Sequence, residues 1–117
     1  MRMGNNPSIL KVCLRVFSIE YALLAVQRAM LREVTPELRA VIVDFDKEKS
    51  LLYIHFYYDG EIMQSLIDLW LITIAEIRAD FAPNSLLDNG VERVDYPLVY
   101  PFRGRYAYLR KEPHIVR

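Results

Sequence analysis

The side chains best equipped for chemistry are few. His55 and His114 are the only histidines and Cys13 the only cysteine, while two carboxylate pairs, Asp44 with Asp46 and Asp59 with Glu61, are spaced two apart. Such pairs could divide acid and base duties or hold a divalent ion. Each also has a plainer reading. Asp46 opens the charged turn Asp46-Lys47-Glu48-Lys49, Asp59 stands where a helix cap would, and Glu61 suits that helix's first turn. His55 alternates with Leu51, Tyr53 and Tyr57, which places it beside tyrosines on one face of a strand, with no base–nucleophile partner in sequence reach. No zinc-ligand spacing, phosphate-binding glycine loop or serine elbow occurs. The expectation is therefore a non-catalytic protein with no catalytic residue, no metal and no cofactor.

Periodicity gives the elements that would carry these residues. Residues 1–8 are polar and read as a loose start, and residues 9–17 alternate apolar with Lys11, Cys13 and Arg15 as a half-buried strand does. Ser18 can cap a helix over 19–34, with Ile19, Leu23, Val26, Met30 and Val34 as its apolar stripe and Pro36 beyond its end. A hairpin follows, with strands at 38–45 and 51–58. Val41, Val43 and Phe45 point one way along it, and Ala40, Ile42 and Asp44 the other. A second helix at 61–81 carries Met63, Ile67, Trp70, Ile74, Ile77 and Phe81 at steps of three and four. Two more strands, 91–96 and 105–111, form a second hairpin around a loop rich in proline and aromatics, and residues 112–117 are a tail. The order (β)αββαββ predicts an α+β fold, an antiparallel sheet of four or five strands with two helices on one face. With the first strand counted, it also resembles a ferredoxin-like unit with one extra strand.

Composition limits the partners. At 117 residues the chain is one domain, and 53% hydrophobic with 26% charged residues describes a chain that folds. Fifteen basic residues balance fifteen acidic ones, so no global field would hold the molecule on nucleic acid or an anionic membrane. The apolar stretch from Ile62 to Ile77 is broken by Gln64, Ser65, Asp68 and Glu76, short of the roughly 20 residues that span a bilayer. The N-terminus lacks the pattern of a secretory leader, and one cysteine suits a reducing compartment, so the expected location is cytoplasmic.

Three features could make an interface. Leu71 and Ile72 widen the apolar surface of the second helix beside Asp68 and Glu76, as an apolar patch with an acidic rim would. Eight tyrosines are many for this length, and Tyr57, Tyr100 and Phe102 are the aromatic candidates for contact. Arg93, Arg103, Arg105, Arg110 and Lys111 interleave with aromatic residues in the manner of a single-strand nucleic-acid surface, though LLYIHFYY lacks the RNA-recognition pattern and solvated arginines on the last hairpin explain them better.

Taken together, YALLAVQRAMLREVTPELRAV (21–41), IHFYYDGE (54–61), RVDYP (93–97) and YLRKE (108–112) resemble a family of small bacterial immunity proteins of toxin systems, particularly contact-dependent growth inhibition. The resemblance covers about 20 to 112 and implies a cytosolic protein that binds one cognate toxin domain and blocks its active site or substrate approach. Such toxins are often nucleases with basic surfaces, so it further implies acidic contact groups, with Asp44, Asp59, Glu61 and Asp68 foremost. An RNA-binding or housekeeping interaction domain of ferredoxin-like type is the alternative.

Overall fold

A computed structural model describes residues 18–31 and 33–113. Ser18 has extended backbone and its hydroxyl accepts the Tyr21 N–H at 3.2 Å, so helix α1 (Ile19–Ala29) begins at the expected cap. It stops well before Val34, and buries Ala22, Ala25 and Val26, with Met30 just past its end. The expected strand over 9–17 and the residues after Pro113 lie outside the described part.

Strands β1 (Leu38–Asp46) and β2 (Leu51–Tyr58) pair antiparallel around a turn in which Lys49 N–H donates to Asp46 and Ser50 takes a φ of 51°. Their alternation is the one written in the sequence. Val41, Val43, Leu52, Ile54 and Phe56 face the helices, whereas Ala40, Ile42, Tyr53 and Tyr57 face away. Helix α2 (Gln64–Ala79) buries Ile74 and Ile77, followed by Phe81. Trp70 is half-buried and packs against this core, Ile67 is half-buried and Met63 is 60% exposed, so the expected stripe holds from Trp70 onward and fails at its start.

Strand β3 (Leu86–Arg93) then pairs with β2, and β4 (Arg105–Leu109) with β1, giving the sheet order β3-β2-β1-β4. The α+β class, the two helices and the order αββαββ are as expected. The sheet is mixed rather than wholly antiparallel, because the crossover through α2 returns the chain parallel to β2. The last two strands consequently form no hairpin; they occupy opposite edges. A ferredoxin-like split unit would need a strand between β2 and β3, and their direct pairing leaves no place for one.

The face away from the helices has its own core. The chain between β3 and β4 crosses it, laying the buried Tyr100 ring on Tyr57 with centroids 4.9 Å apart, and Ala40, Ile42 and Tyr53 complete the cluster. An irregular register between Val41 and Ile42 makes Ala107 the extra residue of β4, so Tyr106 packs on this face and Tyr108 on the helix face.

Candidate functional site

Arg39 organises the loop that covers this second face. Its side chain is fully buried on β1, beside the register irregularity between Leu38 and Ala40. Nε and Nη2 donate to the two Glu112 oxygens at 2.8 and 3.1 Å, and Nη1 donates to the carbonyls of Val94 and Leu98 at 2.6 and 2.7 Å. The guanidinium also lies 5.0 Å from the Tyr100 ring centroid and 5.6 Å from that of Tyr96. Glu112 accepts from Arg110 as well, and Arg110 reaches Asp59 at 3.0 Å and the Pro36 carbonyl. Alternating charges thus tie the end of the described chain, the start of β1 and the end of β2 to the base of the loop. Arg39 holds the Glu112 carboxyl below the usual range.

This network places Asp59. It pairs with Arg110 instead of capping α2, whose N-cap is Met63 with no side-chain bond. Glu61 is exposed nearby, and Asp95 accepts from Gly60 N–H at 2.7 Å and from Arg93 at 3.0 Å. Those two contacts, Arg93 first, keep the Asp95 carboxyl low. Glu37 and Glu33 face Tyr58 at the same end, where, after burial itself, they help push that phenol up to about 12. Among the described residues, carboxylates outnumber cations here. Asp68 is exposed on α2, which begins at this end, and accepts from Gln64.

Asp44 is elsewhere. It lies opposite Tyr53 near the far end of β1, roughly 20 Å along the strand from Asp59, and binds Arg103 at 2.9 Å. Arg103 in turn covers the Tyr53 ring at 4.5 Å. Phe102, 46% exposed, leans on Tyr106 beside this cluster. The expected contact residues therefore divide into an acidic end with Asp59, Glu61 and Asp68, and an aromatic–arginine end with Asp44 and Phe102. Tyr57 and Tyr100 are 1% exposed, so as this fold stands they offer a partner no surface; their rings join the loop to the sheet.

Among the described residues, His55 and Tyr57 are both held in structural contacts. His55 Nε2 lies 2.9 Å from Asp88 and its ring stacks on Tyr53, with Gly90 leaving room for it: a Cβ there would approach the ring to 3.1 Å. The phenol next along this row, Tyr57, is kept protonated by burial, by Tyr53 and by the charges of Glu92 and Asp88, the opposite of an activated nucleophile. Among the described residues no group of three or more His, Cys, Asp or Glu could hold a metal ion, and no helix is long and apolar enough to cross a membrane.

The nucleic-acid reading fares no better on geometry. Arg93, Arg103, Arg105 and Arg110 are paired with Asp95, Asp44, Glu20 and Asp59, and the Tyr57 face that could stack on a base is taken by Tyr100. Residues 20–112 match the family described as MafI2 immunity protein. The chain belongs to that family. The matched span runs from the first turn of α1 to Glu112, the partner of Arg39, and so takes in the whole sheet and the clamped loop. No curated protein matches the chain. Membership in the MafI2 family supports a toxin-neutralising immunity function and implies a cognate toxin as partner.

The Arg39 hub was not legible in the sequence. An arginine inside LRAVIV reads as an exposed strand position, and its acceptors stand 55 to 73 positions away. The exposed apolar run Pro97-Leu98-Val99 also lies outside the contact residues expected from sequence, which in this loop are its aromatic neighbours Tyr100 and Phe102. A tell-tale was present, since three apolar residues in a row between strands have no periodic core to join.

Proposed function

We infer that this protein binds its cognate toxin domain directly in the cytoplasm and covers the active site or the approach of substrate, with no turnover of its own. The toxin is read as a nuclease, delivered in contact-dependent growth inhibition. Family membership supports the immunity role. The observation carrying the binding mode is the acidic end, where Asp59, Glu61 and Asp95 gather with Glu37 around the close of β2 while Asp68 flanks them on α2. Clustered carboxylates on a protein of zero formal net charge complement a basic nucleic-acid cleft and speed encounter with it. Asp44 and Phe102 would be reached only by a partner that also spans the loop.

Charge reversal tests this reading. Glu61→Lys and Asp68→Lys lie at exposed positions and should leave the fold intact while lowering the association rate for the toxin domain, with a weaker salt dependence than the wild type. Asp44→Lys should change binding less, because that carboxylate is at the other end and paired with Arg103. Unchanged affinity and salt dependence in all three variants would reject the acidic contact surface.

A further inference from the structure

The loop held by Arg39 shows an unusual outer surface. Pro97, Leu98, Val99, Pro101 and Phe102 are all exposed, with Leu98 at 63%, Val99 at 56% and Phe102 at 46%, and only Tyr100 turns inward. Leaving such a run in water is unfavourable for a monomer, and scattered exposure does not account for five apolar positions in six. A mobile loop would lose ordering entropy on binding, but this backbone is already fixed. Arg39 holds the Val94 and Leu98 carbonyls, Leu98 N–H donates to Asp95 at 2.7 Å, the Tyr100 ring is stacked under the loop, and Gly104 seats its far end against β1 at a φ of 77°. The two prolines restrict it further.

The surroundings indicate what it meets. Asp95, at the start of the loop, is bonded to Gly60, between Asp59 and Glu61, so the Leu98–Val99 tip adjoins the acidic end. We propose that Leu98 and Val99 are the apolar anchor of the toxin contact, inserted into a hollow on the toxin domain that is bordered by lysine or arginine side chains. This rests on the immunity reading above and names the part of the surface that holds the complex together. Arg39 and Glu112 are positioning residues for that anchor. Apolar anchors in desolvated pockets govern release, whereas the carboxylates around them act on encounter.

The experiment measures association and dissociation rates for the cognate toxin domain, purified in a catalytically inactive form, against wild type, Leu98→Asp, Val99→Asp and Glu61→Lys, each shown by circular dichroism and thermal unfolding to be folded. Both loop variants should bind at least about 30-fold more weakly, through faster dissociation, with the salt dependence of the wild type. Glu61→Lys should instead slow association. Wild type that binds while Leu98→Asp and Val99→Asp stay within about twofold of it overturns the anchor and leaves the immunity reading standing. Wild type that does not bind removes both.

Discussion

Arg39 and Glu112, 73 positions apart, meet through two hydrogen bonds at a site where their side chains are 0% and 4% exposed. Burying a guanidinium is costly, and this one is offset by four bonds on a single side chain. Removing one partner should therefore strand the other. Arg39→Met or Glu112→Leu alone is expected to cost about 3 to 5 kcal/mol in denaturant unfolding, and the double variant less than the sum of the two. Additive losses would mean that the two residues act independently.

The same pair sets an acid limit. Because Arg39 lowers the Glu112 carboxyl in the folded state, the unfolded chain takes up that proton first, and its usual value is 4.5. The stability it contributes is complete above that pH and is lost as pH falls through the lower folded value. Asp95, depressed by Arg93 and Gly60, shifts in the same direction. Stability measured from neutral pH downward should thus decline below about pH 4.5 in wild type and more gently in Glu112→Leu.

Gly104 is expected to be irreplaceable in a way Gly60 is not. Both have positive φ, 77° and 99°, but a Cβ on Gly104 would collide with the Val43 carbonyl oxygen and crowd Asp44, while one on Gly60 meets open space. Gly60→Ala should cost about 1 kcal/mol from backbone strain alone, and Gly104→Ala about 2 kcal/mol or more. Equal unfolding midpoints for the two variants would show that the loop gives way without resisting.

At high pH the tyrosines report on both sheet faces. Tyr58 is pushed up to about 12, first by burial and then by Glu37 and Glu33, and burial raises Tyr57 as well. Since an unfolded tyrosine ionises near about 10, the stability these two contribute is intact below that pH and drains away as pH rises toward the folded values. Tyrosinate absorbance should show them ionising late, together with loss of structure. Early, reversible ionisation of all eight tyrosines would contradict their burial.

Much of the fold was legible because its signals are local. Ser18 caps α1 by its own hydroxyl, and the alternation of β1 and β2 survives intact on two buried faces. What escaped is tertiary. Asp88-Asn89-Gly90 has the composition of a turn, yet it is the middle of β3, since Asp88 bonds to His55 and Gly90 admits the His55 ring. Parallel pairing of β3 follows from the crossover through α2 and leaves no mark in the strand itself. The candidate site divided similarly. Glu61 and Asp68 are exposed as a charged surface requires, whereas Asp59 went to Arg110, and Tyr57 and Tyr100 went to each other, because partners distant in sequence claimed them.

The central claim, that this MafI2 family member neutralises a toxin by binding it, is tested most directly by titrating the purified protein into an activity assay of its cognate toxin domain, a nuclease on the reading proposed above. The account predicts that cleavage falls linearly with added protein and stops near one equivalent, with no cleavage by the protein alone. Undiminished cleavage at a large excess of folded protein would contradict it.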